Sequence, residues 1–315
     1  MKLQTKIHIA KQKNQIDYDS TVLLLGSCFA QNIGDKIAYY KFKNLQNPFG
    51  IIFHPIGIEK LITRAIQGTL FVEDDIFLHN SQWLCFEGHS KLGKPDRESF
   101  LKFLNENLIE LREYLISASH VILTFGTAWV YQHRSSNTIV SNCHKIPQQE
   151  FSKKLLSVEE VSESINTSIS LIRSVNPNAV IITTVSPVRH LKDGFLENSR
   201  SKAHLLAGLH QCVDSFEGLF YFPAYELLFD EMRDYRFYKE DMVHPNTTAI
   251  TIIWERFKDT WISSKTEETQ KEVENIQKMM LHKPLNPLGE AYIEFEKSLK
   301  LKIEMLRKKY PNLEI

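Results

Sequence analysis

The chain has no net charge: 38 lysines and arginines balance 38 aspartates and glutamates over 315 residues. It contains no basic block able to neutralise a phosphate backbone, which sets nucleic-acid binding aside. Cysteine is scarce. Cys28, Cys85, Cys143 and Cys212 are scattered, with none of the close pairs of a zinc site or a disulfide framework, and they point to a reducing compartment. The 12 histidines form no HxxxH or HxH arrangement beside a carboxylate, so no metal is expected. Phosphate-cradling loops are missing too. GSCFAQNIG at 26 to 34 lacks the internal glycine of a dinucleotide fold and the Lys-Ser/Thr pair of a Walker loop, so no nucleotide cofactor is expected. No window is long and apolar enough to cross a bilayer. The polar opening MKLQTKIHIAKQKNQIDYDS lacks the apolar stretch of about 7 to 15 residues that a secretory signal requires. The default expectation is a cytoplasmic chain; a removed signal would leave the same trace. Internal repeats and low-complexity segments are absent.

What the chain does have is four continuous apolar runs: VLLLGS (22 to 27), HVILTFG (120 to 126), AVIITTVSP (179 to 187) and GLFYFP (218 to 223). Runs without polar alternation suit strands buried on both faces. FLKFLNENLIELREYLISA (100 to 118) and SVEEVSESINTSISLIRSVN (157 to 176) carry apolar residues at helical spacing, and Ser157 with Glu160 reads as a capping box. Strands alternating with helices predict an α/β fold, a three-layer α/β/α sandwich with a mainly parallel sheet. Residues 48 to 105 interrupt the rhythm and read as an insertion near the active face. It holds a short helix after His54-Pro55 and a hairpin over 76 to 88 turning at Asn80-Ser81. A second hairpin is predicted over 129 to 142. The chain becomes helical and charged after Trp254, and 264 to 315 reads as two helices broken at PLNP, 284 to 287. The predicted organisation is one domain over 1 to 263 and a helical appendage over 264 to 315, which is also a candidate oligomerisation surface.

The first run drives a strand into Gly26-Ser27 and then opens a helix. Ligands of open α/β sheets bind at the carboxyl ends of the strands, so the Ser27 hydroxyl is placed for chemistry. Far downstream, DMVHP at 241 to 245 sets Asp241 three residues before His244, close enough for a carboxylate to orient an imidazole. A base so oriented is what a serine needs to become a nucleophile. Each half has a plainer reading: Ser27 as a helix cap, and His244 as part of a helix start led by Asn246-Thr247.

Several blocks resemble one family throughout the chain: GSCFA at 26 to 30, NPFGIIFHP at 47 to 55, TFGTAWVY at 124 to 131, NCHK at 142 to 145, TVSPVRH at 184 to 190 and DMVHPN at 241 to 246. The chain resembles the GSCFA family, a distant branch of the SGNH/GDSL hydrolases. The resemblance implies a flavodoxin-like fold and a hydrolytic site without a cofactor. By that likeness Ser27 is the nucleophile, His244 the general base, Asp241 its orienting acid, and Gly50 a backbone donor to the oxyanion. One block departs from pattern: where the superfamily has Gly-x-Asn, this chain has Gly126-Thr127-Ala128. Losing one oxyanion donor typically costs about 3 to 4 kcal/mol in the transition state.

Thr127, Asn142 and His144 are the candidates for the missing donor. Asn142 is favoured because its amide offers two N–H groups; the competing reading makes it a hairpin-end residue without a ligand. Arg189, after a predicted strand, is placed to grip substrate or to pair with Asp193. Cys28 beside Ser27 is a rival nucleophile if the helix N-terminus lowers its pKa, and otherwise a small packing residue. The expected reaction is hydrolysis of an ester on a carbohydrate or small acylated substrate, with Trp83, Trp129 and Tyr131 as candidate sugar-stacking residues. The alternatives are an acyltransferase working through the same acyl-serine and a non-catalytic carbohydrate-binding or partner-binding module.

Overall fold

The computed structural model describes residues 4–282, 289–310 and 313. A five-stranded parallel sheet forms from β1 (Thr21–Gly26), β2 (Lys43–Gln46), β5 (His120–Phe125), β9 (Val180–Val185) and β10 (Leu219–Tyr221), in the order β10-β9-β5-β1-β2. All six residues of β5 and of β9 are buried, as their unbroken apolar sequences require. The edge strand β2, KNLQ, is half exposed and polar, so no apolar run announces it.

Successive residues of β1 feed opposite layers. Leu23 and Leu25 join a core with α2 (Pro55–Gln67), α3 (Arg97–Ser117), α4 (Val158–Val175) and α5 (Phe195–Ser215). Val22 and Leu24 join a second core with α1 (Cys28–Tyr39), Ala224 of the single turn α6 (Ala224–Glu226) and α7 (Thr247–Trp261). The period of two along a strand therefore builds the three layers, and the fold is the expected α/β/α sandwich with a mainly parallel sheet. The capping box at the start of α4 is reciprocal: Glu160 N donates to Ser157 Oγ at 3.2 Å, and Ser157 N donates to Glu160 Oε2 at 3.0 Å.

The helix after His54-Pro55 is more than a short excursion. Its Ile58, Leu61, Ile62 and Ala65 are core residues, and it ends at Gly68 in the left-handed conformation. In the first hairpin, β3 (Ile76–His79) and β4 (Gln82–Cys85) are joined by Asn80 and Ser81, at φ +49° and +59°, the positive pair that a tight hairpin turn demands. The second hairpin, β6 (Trp129–His133) with β7 (Thr138–Val140), acquires a further strand, β8 (Phe151–Leu155), to make an antiparallel sheet of three.

Beyond α7, α8 (Glu267–Met280) and α9 (Glu290–Lys309) enclose a small core of Val273, Ile276, Leu306 and Leu313. The PLNP break lies outside the described residues. Tyr18 links this pair to the sandwich by stacking on Phe42 at 4.5 Å and meeting Tyr310 at 5.1 Å. Among the described residues no helix is long and apolar enough to cross a membrane.

Candidate active site

In sheet order the chain reverses direction between β1 and β5: the connection after β1 leads to one side and the later strands lie on the other. Such a switch point opens a crevice at the carboxyl ends of the strands, and Ser27 follows the last residue of β1. Gly26 makes the turn possible. Its φ is +135°, and a Cβ there would lie 2.1 Å from the Thr124 carbonyl oxygen, so a side chain is excluded. The Gly26 amide donates to Asn47 Oδ1 at 2.8 Å and the Ser27 amide to Thr124 O at 3.1 Å. Ser27 caps α1, its Oγ accepting from Phe29 N at 3.2 Å, and is only 1% exposed. The hydroxyl thus faces the positive end of a twelve-residue helix.

Asp241 and His244 form a closed local unit. Asp241 Oδ1 accepts from the amides of Val243 (2.8 Å) and His244 (2.9 Å), while Oδ2 lies 2.7 Å from His244 Nδ1. The two amides, then the ring contact, hold the carboxyl down to about 2. An ionised Asp241 accepts a proton-bearing Nδ1, which assigns the free lone pair of neutral His244 to Nε2. Asn246 caps α7 through Ala249 N, so cap and dyad coexist in this loop. Among the described residues no hydrogen bond joins Ser27 Oγ to His244; His190, one residue beyond Arg189 and its bond to the Val243 carbonyl, has its Nε2 beside the same glycine as Ser27.

Arg189 does not pair with Asp193, which binds Lys153 instead. The Arg189 amide donates to Val243 O at 3.2 Å and its Nη1 to Met242 O at 3.3 Å, while its guanidinium lies 4.2 Å from the centre of the Tyr238 ring. It therefore ties the end of the β9 segment to the Asp241–His244 loop.

The remaining sequence candidates have engaged groups. The Gly50 amide donates to Asn47 O at 2.7 Å within a turn; φ +72° and the close approach of His89 account for the glycine. Thr127 Oγ1 lies 2.9 Å from Ser201 Oγ and accepts from Trp129 N, and its amide donates to Phe53 O. His144 is buried between Ser90 Oγ (2.9 Å) and Cys85 O (2.8 Å), and burial pushes its pKa down to about 4. Asn142 Oδ1 accepts from Ser90 and His144 N, and the residue lines a cleft of about 380 Å³ that Trp129, Tyr131 and Phe53 also line. Trp83 is not in that lining; it packs against the core. Burial raises the Cys28 thiol pKa, which argues against a thiolate. Among the described residues no cluster of metal-ligating side chains occurs.

Three further residues complete the neighbourhood. Asn47 holds the Gly26 turn. His190 borders the cleft; its ring meets Phe53 edge-on at 5.2 Å and its Nε2 is buried without a hydrogen-bond partner. Lys202, 1% exposed in the middle of α5, donates to Gly126 O at 2.6 Å and Ser186 O at 2.7 Å. Burial drives its pKa down to about 7. In sequence, Lys202 reads as an ordinary helix-surface lysine and Asn47 as a turn residue; neither carries a signal for this placement.

The fold and site define an α/β/α domain of flavodoxin-like strand order with a capped serine at its switch point. The chain belongs to the GSCFA family, whose model matches residues 21–257, and residues 273–315 match the C-terminal domain of GSCFA domain proteins. No protein with a curated description is similar to it in sequence. Among solved structures it is similar to a Ser-to-Ala mutant of an acetyl esterase with acetate ion, at 9% identity and a TM-score of 0.36 over 81% of this chain and 99% of that one. It is also similar to a carbohydrate esterase of family 3 from Talaromyces cellulolyticus, at 7% identity and a TM-score of 0.35 over 80% and 99%. A third likeness is to an acetyl xylan esterase from the rumen bacterium Butyrivibrio proteoclasticus, at 8% identity and a TM-score of 0.40 over 78% and 64%.

Proposed function

We propose that the protein is a serine hydrolase acting on esters, with Ser27 as nucleophile, His244 as general base and Asp241 as the acid that orients it. The observation that carries this reading is the Asp241–His244 pair at 2.7 Å, which leaves Nε2 of His244 free as a base. The hydroxyl in this reading is that of a serine held at a helix N-terminus by a glycine-only turn. In the reaction, His244 Nε2 takes the hydroxyl proton as Ser27 Oγ attacks the acyl carbon. The carbonyl pair moves to oxygen, then returns as the C–O bond to the leaving group breaks, and His244 passes its proton to the departing alkoxide. Water then repeats the sequence on the acyl-serine and regenerates Ser27. No step calls for a cofactor.

The substrate is an acylated carbohydrate in this reading. Trp129 and Tyr131 line the cleft with Lys153, whose ammonium lies 4.4 Å from the centre of the Trp129 ring and would have to move aside for a sugar to stack, and Asn142 offers a polar group to its hydroxyls. Fluorophosphonate treatment of wild type and of Ser27→Ala, Cys28→Ala and His244→Ala tests the assignment by mass spectrometry. A single adduct that is lost in the Ser27 and His244 variants and kept in the Cys28 variant supports it. Absence of an adduct in wild type overturns it in favour of a binding module.

A further inference from the structure

An oxyanion forming on a substrate bound to Ser27 needs N–H donors close by, and most donors around this serine are already spent. The Ser27 amide is bound to Thr124 O, the Gly126 and Thr127 amides are both bound to Phe53 O, and the Gly50 amide is bound to Asn47 O. A buried polar atom left without a partner costs free energy, so one found beside a nucleophile marks a place where a ligand atom is due. His190 Nε2 is such an atom. Gly126 separates it from the serine: a Cβ on Gly126 would lie 3.2 Å from His190 Nε2 and 3.3 Å from Ser27 Cβ. With only hydrogen on Gly126, the gap between ring and serine is the width of a single atom, which there would touch both.

We propose that His190 donates its Nε2–H to the oxyanion generated at Ser27, supplying the donor that Ala128 cannot; this rests on the reading of Ser27 as nucleophile. The ring is fixed for that task. Asn198 Oδ1 accepts from the His190 amide at 2.9 Å, and Phe53 packs against the imidazole. The imidazole is neutral, since burial, then Lys202 and His244, push its pKa down to about 3. A neutral imidazole has one N–H, and the negative charge growing on the substrate oxygen selects the tautomer that places it on Nε2. Lys202, beneath Gly126, adds a donor-rich group behind the same position. When Ser27 Oγ bonds to the acyl carbon, the carbonyl electron pair becomes a lone pair on oxygen, and the Nε2–H bond of His190 points at it without transferring its proton. The proton lost by Ser27 stays on His244 until the leaving oxygen takes it.

The rate constant for fluorophosphonate modification of Ser27 reads this directly, because the phosphoryl oxygen occupies the oxyanion position during attack. It should be measured for wild type, His190→Ala and His190→Asn, with Ser27→Ala as the blank. The expected result is a loss of about 100- to 1,000-fold in His190→Ala. Recovery of at least about tenfold in His190→Asn is expected, because an amide N–H replaces the ring donor without being a base. Labelling in wild type with His190→Ala within threefold of it overturns the role of His190 and leaves Ser27 as nucleophile. Equal loss in His190→Ala and His190→Asn also overturns the donor role, and points to His190 as a base. Should wild type fail to label at Ser27, the nucleophile reading falls and the donor falls with it. If His190→Ala does not fold, His190→Asn alone decides: a rate within about a hundredfold of wild type supports the donor, and a larger loss overturns it.

Discussion

The buried ammonium of Lys202 donates to the carbonyl of Gly126 at 2.6 Å and so clamps α5 to the residue that separates Ser27 from His190. Lys202→Met fills the space but strands the carbonyls of Gly126 and Ser186. The expected cost is about 2 to 6 kcal/mol, from about 1 to 3 kcal/mol for each of the two unsatisfied buried carbonyls, read by urea unfolding at pH 8. The pH dependence has a definite sign. Burial drives the folded pKa from 10.5 down to about 7, so between these values the unfolded chain binds the extra proton and stability rises with pH. Subtracting the Lys202→Met curve from that of wild type should leave a difference that grows in favour of wild type from pH 7 to 10.

The dyad predicts a large loss without a change in fold. Asp241→Asn keeps an acceptor oxygen for the loop amides but no longer holds the Nδ1–H tautomer of His244. Ester turnover, and Ser27 labelling with it, should fall by about three to four orders of magnitude. Because Asp241 lies in an exposed loop, the thermal midpoint should stay within about 2 °C of wild type, since surface changes are usually within about 0.5 kcal/mol. Calorimetry on the same samples checks that half.

Arg189→Met tests the tie between β9 and the dyad loop. It removes the side-chain bond to Met242 O while preserving the backbone bond to Val243 O. The expected effect is a drop of about tenfold in turnover with KM nearly unchanged, about 1.4 kcal/mol in the transition state. An unchanged rate would dissociate Arg189 from the loop's position.

Acid should loosen the fold before carboxylates titrate. His54 caps α2 through Gly57 N and reaches Val140 O, and His144 is held between Ser90 and Cys85; burial drives both pKa values from 6.5 down to about 4. A folded pKa below the unfolded one means that stability is complete above 6.5 and is lost as pH falls towards 4. Each ring contributes roughly 3 kcal/mol to that loss, at about 1.4 kcal/mol per pKa unit. Unfolding midpoints from pH 7 to 4.5 check it, and the dependence should be shallower in His144→Gln.

Much of the architecture was legible because β1, β5 and β9 are buried on both faces and so are written as unbroken apolar runs. β2 and β8 lie at edges, where half the residues face water, and KNLQ and FSKKL carry no such run. The extent of α2 was hidden because its apolar residues begin inside what reads as an interruption. The positions of Ser27, Asp241 and His244 could be expected from local grammar: a strand, a turn, and an acid three residues before a base. His190 is, in sequence, one more polar residue after a predicted strand, next to Arg189. Its importance lies in having no partner, a property of three-dimensional surroundings that sequence spacing does not encode. Lys202 was hidden for a related reason: a lysine in a helix reads as solvated until packing places carbonyls around it.

The appendage of α8 and α9 meets the sandwich at Tyr18, just before β1 begins, and at Tyr39 O, where α1 ends and Gln277 donates to it. Ser27 stands at the other end of the same strand, about 20 Å away for six residues at 3.3 Å each. Among the described residues, none of α8 or α9 lines the cleft of Trp129 and Tyr131. The strand β1 therefore has one end fastened to the paired helices and the other end turned into the serine cap, so the two regions share a support without sharing a surface.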